Sequence, residues 1–259
     1  SNLESPVPIP DPGSLSMPFL AETDEFSALD TVLGRMSVID PQISHIREPQ
    51  QPSPLLMLDR TAANLASILD ALFKNNPRKV ERLNEFLAKV ADDTSVIVPS
   101  QRGSRLSIQF EQSLKNGGIA FDASSMSDGT LRALGVLASV FQIVSPSVLC
   151  VEEPEASIHP GALDVVLDAL ALTASQSHLL VSTQSPVVLN NPMVLGESLR
   201  VVQWKNGSSQ ILPVAKESLD VLNSHLFGAG ELLQANQLTA GRFVKRTSSL
   251  FGDETWSSN

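Results

Sequence analysis

Apolar residues along the chain fall into a few strongly periodic stretches, separated by polar or Pro-rich ones. From Thr61 onward, Leu65, Ile68, Leu69, Leu72 and Phe73 recur at the three- and four-residue spacing of an amphipathic helix, with Asp59 or Thr61 placed to cap it. Asn75-Asn76-Pro77 ends that pattern, and Val80, Leu83, Phe86, Leu87 and Val90 predict a second helix. Both read as packing elements. Alternation over Ser95 to Pro99 and Arg105 to Phe110 predicts two strands, and Gly117-Gly118 a turn before Ile119 to Asp122. After Gly129 another helical stripe follows: Leu131, Leu134, Leu137 or Ala138, and Phe141.

Two later runs have a different character. Ser147-Val148-Leu149-Cys150-Val151 leads directly into Glu152-Glu153-Pro154-Glu155, and His178-Leu179-Leu180-Val181 into Ser182-Thr183-Gln184-Ser185-Pro186. A short apolar run that ends at once in polar residues predicts a fully buried parallel strand with its polar groups at the carboxyl edge. The helical stretch from Gly161 to Thr173 between them completes a βαβ unit with two polar edges side by side. Open α/β sheets bind ligands at that edge. Successive side chains of an extended segment point opposite ways, so one of two adjacent acids can face a metal ion and the other a water. Further on, Leu199 to Trp204 and Ser209 to Val214 flank Asn206-Gly207, a hairpin signal. Upstream, residues 1 to 20 carry Pro6, Pro8, Pro10, Pro12 and Pro18 and read as extended or disordered; Ser27 to Met36 predicts a short helix, and 40 to 54 irregular chain. The expected division is an irregular segment over 1–58, a helical subdomain over 59–145 and an α/β lobe over 146–259.

Composition adds limits. A chain of 259 residues, 42% hydrophobic and 18% charged, has the balance of a globular protein of one or two domains. Its apolar runs fall short of a membrane span, and no basic-then-apolar leader opens the sequence, so the expected setting is the cytoplasm, away from membranes. The single Cys excludes an internal disulfide and a Cys-based zinc site. The net charge of −10 argues against a broad nucleic-acid surface. That imbalance is local: Phe121 to Leu199 holds eight acids and one base, Arg132. Bases gather at Lys74 to Arg82, Arg102 to Arg105 and Arg242 to Arg246, which leaves a small basic face open.

Met126-Ser127-Asp128-Gly129-Thr130, then Glu152-Glu153-Pro154-Glu155 with Ile158-His159-Pro160, then Ser182-Thr183-Gln184-Ser185-Pro186, follow one another in this order. Together they resemble the signature loop, the Walker B and D-loop, and the switch of ABC-type ATPases. The likeness is nearest to SMC-like and RecF-like AAA proteins with an overcoming-lysogenization-type ATPase domain. Asn64-Leu65-Ala66 extends it upstream, and Gly228, Gly230 and Glu231 resemble the family's tail. The implied fold is the C-terminal lobe of an ABC/SMC-like P-loop ATPase, with a parallel-sheet βαβ core and a helical signature subdomain.

The resemblance implies ATP and Mg²⁺ as cofactors and assigns roles. Glu152 would hold Mg²⁺ through water, and Glu153 would act as general base on the attacking water. Ser127, Asp128, Gly129 and Thr130, with His159, would contact the nucleotide held by a second copy in a head-to-tail dimer. A hydroxyl and free amides at a helix start suit phosphate oxygens. Gln184 stands where the family usually has His; it can donate a hydrogen bond to the γ-phosphate or to water but carries no proton. Each residue also has a plainer reading: Ser127 as an ordinary N-cap, the two acids as the end of a strand, His159 as a surface residue, and Ser182 and Thr183 as strand-end structure.

No Gly in the 259 residues is followed by Lys, so Gly-x-x-x-x-Gly-Lys-Ser/Thr does not occur. In the resembling family that phosphate loop lies upstream of everything matched. The expectation is therefore a C-terminal lobe that hydrolyses no ATP alone and takes its Walker A lobe from the same parent chain or a separate one. Other expected partners are a second copy through the signature loop and a nuclease or DNA. DNA repair, chromosome handling and phage defence are the roles the resemblance brings. The alternatives are a non-catalytic degenerate ATPase-fold interaction module and an unrelated Mg²⁺-dependent enzyme built on Glu152 and Glu153.

Overall fold

The computed structural model describes residues 24–114 and 117–242. The Pro-rich run over 1–20, the end of the basic cluster past Arg242 and the tail beyond it lie outside the described residues. The chain divides into two units, Ser1–Gln184 and Ser185–Asn259.

In the first unit α1 (Asp24–Gly34), β1 (Met36–Ile39) and α2 (Ile43–Arg47) precede the helical pair α3 (Leu65–Asn75) and α4 (Pro77–Val90). The strands β2 (Thr94–Arg102), β3 (Arg105–Leu114) and β4 (Gly117–Asp122) follow, then α5 (Asp128–Phe141), β5 (Val148–Glu152), α6 (Pro160–Thr173) and β6 (His178–Ser182). The result is an α/β fold with a parallel sheet in the order β1-β5-β6 and an antiparallel sheet in the order β2-β3-β4. The expected βαβ unit is present: β5 and β6 are adjacent and parallel, in register from Val148 opposite His178 to Glu152 opposite Ser182.

Several local expectations change. Pairing β1 with the other side of β5, from Met36 opposite Val148 to Ile39 opposite Val151, puts a sheet strand in a segment read as helix and irregular chain. Four residues are too few to show a period. A short helix, α2, likewise interrupts the stretch read as irregular. The start of α3 is not capped by Asp59 or Thr61. Asn64 holds that position, and its side chain serves the preceding loop, accepting from the Asp59 amide and donating to the Met57 carbonyl. Asn76 does cap α4, accepting from the Lys79 amide, with Pro77 at the first turn, where its missing N–H costs nothing. Strand β2 runs on through Pro99 by an irregularity between Ile97 and Ser100, the usual way a strand accommodates proline.

Helix α5 is more deeply set than a single stripe predicts. Every residue from Thr130 to Ser139 is buried, polar ones included, which marks a central helix rather than a surface one. The parallel sheet shows the reverse. Ser37, Ile39, Leu149 and Val151 are buried on one face, whereas Met36, Val38 and Leu180 on the other are 49%, 39% and 57% exposed. The strands expected to be fully buried therefore have one covered face and one open face. A groove of about 680 Å³ runs beside β1 on the open side, lined by Arg35, Met36, Val38, Leu55, Leu56 and Arg60 among others.

The second unit holds α7 (Pro186–Leu189), the hairpin of β7 (Arg200–Lys205) and β8 (Ser208–Pro213), α8 (Lys216–Asn223) and α9 (Ala229–Gln234). Asn206 and Gly207 both have positive φ, 53° and 79°, as a two-residue turn between twisted strands requires. Gly230 has no room for a side chain, since a Cβ there would lie 2.1 Å from the Pro186 carbonyl oxygen. Among the described residues no helix is long and apolar enough to cross a membrane.

Candidate functional site

The carboxyl edge of the parallel sheet is organised by Arg132, a residue singled out in the sequence only as the lone base of an acidic stretch. It projects from the buried helix α5, and its side chain is 9% exposed. One guanidinium nitrogen donates to Asp40 Oδ1 and to the Pro41 carbonyl, both at 2.8 Å, just past the end of β1. The other donates to the carbonyls of Glu152, at 2.9 Å, and Glu153, at 3.3 Å, at the end of β5. One planar cation thus ties two strand ends to the helix that begins at the signature-like loop, a use that suits the fixed fork of arginine.

Glu152 closes β5, and its carboxylate pairs with Arg60 at 2.9 Å. Glu153 leaves the strand with φ of 43°, a left-handed conformation that is costly for a residue bearing a Cβ. Its amide donates to the Ser182 carbonyl, and Gln184 Nε2 donates to its Oε1 at 3.3 Å. Thr183 donates to Glu155 Oε1 at 2.6 Å, whereas Glu155 Oε2 is buried without a hydrogen-bond partner. The structure therefore gathers Glu152, Glu153 and Gln184 at one edge, with Glu153 and Gln184 exposed. Thr183 is engaged with the turn, in keeping with its plainer reading.

A second cluster forms where α5 and α6 begin. Ser127 is the N-cap of α5: its hydroxyl oxygen accepts from the Thr130 amide at 3.1 Å and lies 2.8 Å from the Thr130 hydroxyl. His159 is the N-cap of α6, Nδ1 accepting from the Gly161 amide at 3.1 Å, which leaves Nε2 to carry the proton of the neutral ring. Ser127, Gly129, Thr130, Ser157, Ile158 and His159 line one cavity of about 180 Å³ with Val90 and Ala162. The two loops touch because residue 129 has no side chain: a Cβ there would meet the Ser157 carbonyl oxygen at 2.5 Å. Two helix N-termini open on this cavity, each with the partial positive charge of its axis. Asp128 points elsewhere, to an ion pair with Arg47 of α2 at 2.5 Å.

Among the described residues no group of three or more His, Cys, Asp or Glu is arranged to hold a metal ion. Glu152 nevertheless fits the demands of Mg²⁺, which keeps several waters and needs only one or two carboxylates beside substrate phosphates. It is half-exposed at a strand end, with an exposed partner that can be displaced. Glu153 would then be the carboxylate left to polarise water. The residues that the sequence did not point to are Arg132, Asp40 and Arg60. Arg60 and Glu152, and likewise Arg132 and Asp40, stand 92 positions apart in the chain, beyond the reach of any local pattern.

The sequence pattern of one protein family, described as "AAA domain, putative AbiEii toxin, Type IV TA system", matches residues 16–190. No curated protein sequence matches this one. Among solved structures, one reported for the ATP-driven dimerization and DNA-stimulated activation of SMC ATPases is 18% identical with a TM-score of 0.44, covering 60% of this chain and 96% of that one. An Smc head bound to the C-winged helix domain of ScpA is 16% identical with a TM-score of 0.48, covering 70% and 56%. A head with an extended coiled coil, bound to the C-terminal domain of ScpA and derived from Pyrococcus furiosus, is 19% identical with a TM-score of 0.44, covering 60% and 39%. The chain thus spans less than two thirds of the latter two.

Proposed function

The chain belongs to this AAA-domain family, and from that premise we propose that it is the acid-bearing and signature-bearing lobe of a nucleotide-sandwich ATPase. In this reading Glu152 holds Mg²⁺ through water, and Glu153, with Gln184 beside it, orients and deprotonates the water that attacks the γ-phosphate. The cavity at Ser127, Gly129, Thr130 and His159 receives phosphate oxygens of the nucleotide bound by a second copy. A hydroxyl, free amides and two helix N-termini supply that affinity. Mg²⁺ would contribute charge neutralisation at the phosphates. The protein's own part is to fix the two carboxylates and the water.

The observation that carries the reading is Arg132, through which the helix of the signature-like loop holds the backbone under both acids. The open face of the parallel sheet supports a second element of it. Parallel sheets are ordinarily covered on both sides, and a lobe bearing a phosphate loop would cover this one. DNA repair, chromosome handling and phage defence, with a DNA or nuclease partner, are the settings we propose for the assembled enzyme. Gln184, which cannot shuttle a proton, favours a second reading, a non-hydrolysing member of the fold that only docks partners.

The test is hydrolysis of Mg-ATP by this chain combined with a phosphate-loop lobe, beside Glu153→Gln. The proposal expects the variant to lose roughly a hundredfold or more in rate while nucleotide-bound dimers accumulate. Equal rates would remove Glu153 from the mechanism. Micromolar binding of Mg-ATP by the 259-residue chain alone would show that no further lobe is needed.

A further inference from the structure

Resting on the reading of Glu152 as the metal-holding carboxylate, we propose that Arg60 is a further residue of this edge, the counter-ion that Glu152 exchanges for a divalent cation. The backbone of Arg60 is fixed across the end of β1. Its carbonyl accepts from the Asp40 amide at 2.8 Å, and the next carbonyl, of Thr61, accepts from the Gln42 amide at 3.0 Å. The loop before it is braced as well, because the Asp59 carboxylate accepts from both the amide and the hydroxyl of Thr61.

From this anchored point the side chain reaches across to β5 and places Nη2 2.9 Å from Glu152 Oε1. The two side chains are 58% and 42% exposed. Their attraction is therefore screened by water and readily exchanged. Arg132 offers the contrast. Its nitrogens reach the carbonyls of Glu152 and Glu153, so the nearby buried cation fixes the strand end and leaves the Glu152 carboxylate to Arg60. A cation at Glu152 and the guanidinium at Glu152 compete for the same oxygen, and the unpaired arginine swings into the open groove that it lines.

The probe is Mn²⁺ alone, its free fraction read by electron paramagnetic resonance with the full chain, Arg60→Gln, Arg60→Lys, Arg35→Gln and Glu152→Gln. Arg35 lines the same groove and controls for the general loss of a positive charge. Arg60→Gln is expected to bind Mn²⁺ about three- to fivefold more tightly than the parent. Arg60→Lys is expected to stay within about twofold, because the charge remains. Arg35→Gln should fall well short of the Arg60→Gln gain, and that gain should vanish when Glu152→Gln is added.

An Arg60→Gln chain no tighter than the parent overturns the exchange, as does a gain matched by Arg35→Gln, or Mn²⁺ undetectable on both chains. Glu152→Gln binding Mn²⁺ as well as the parent has a different meaning: the metal does not sit at Glu152, and the functional reading itself fails.

Discussion

The two clusters of the first unit are built in opposite ways. At the cavity where α5 and α6 start, Ser127 is paired with Thr130 and His159 with the Gly161 amide, while Asp128, outside it, pairs with Arg47. Apart from the Asp128 pair, these are short-range capping contacts made within the two loops themselves. At the acid edge Glu152 is held by an exposed arginine, Glu153 takes only a 3.3 Å contact from Gln184, and Glu155 keeps one buried oxygen without a partner. The cavity is finished by its own sequence. The edge is a frame, fixed through its backbone, whose side chains are left open to exchange.

The sharpest way to break this contrast is to remove the frame. Arg132→Met leaves Asp40 without its ion pair and removes a donor from three carbonyls, of which that of Glu153 keeps the Ala156 amide, and is expected to cost about 3 kcal/mol of stability in urea unfolding. Arg60→Met, at the same edge but exposed, should cost about 0.5 kcal/mol or less. Equal costs would erase the distinction between frame and open group.

Gly129→Ala attacks the cavity instead. Its Cβ would lie 2.5 Å from the Ser157 carbonyl oxygen, so one loop must move, at an expected cost of about 2 kcal/mol. Glu153→Gly goes the other way. Relief of the left-handed strain offsets the added freedom of the unfolded chain, so thermal stability should be unchanged or higher by up to about 1 kcal/mol while hydrolysis is lost.

Two smaller effects follow from charge. The Thr61 hydroxyl holds the Asp59 carboxyl below its ordinary range despite partial burial. A group whose folded value is depressed stabilises at neutral pH and loses that contribution as the pH falls below about 4, toward its folded value. Asp59→Asn should therefore flatten the acid limb of a stability profile and leave its shape near pH 8 unchanged. Burial, and secondarily the charge of Glu152, pushes the Cys150 thiol up. Glu152→Gln should accordingly quicken its alkylation at a fixed pH near 8 by a small factor.

What the sequence made legible follows the same division. The helices α3, α4, α5 and α6, the β5–α6–β6 unit and the Asn206-Gly207 hairpin rest on periodicity and turn chemistry, which are local. Ser127, Gly129, Thr130 and His159 were named through the motif resemblance; that they line one cavity depends on two loops meeting at Gly129, which no local pattern shows. Strand β1 was not, since its four residues become a strand only by pairing with β5, more than 100 positions later. Arg132 was visible as a charge but not as a brace, because three of its four bonds go to carbonyls, which every residue has, and the fourth to Asp40, 92 positions away. The open sheet face was hidden for a similar reason: an apolar strand reads alike whether one face is covered or two.

That last property of Arg132 has a practical side. A brace that grips main-chain oxygens is indifferent to which side chains the gripped residues carry. The letters at 152 and 153 can thus be rewritten, to glutamine, alanine or aspartate, without removing a bond of that brace. Reactivity and architecture become separately editable at this edge, so a silent variant made there is a change of chemistry alone.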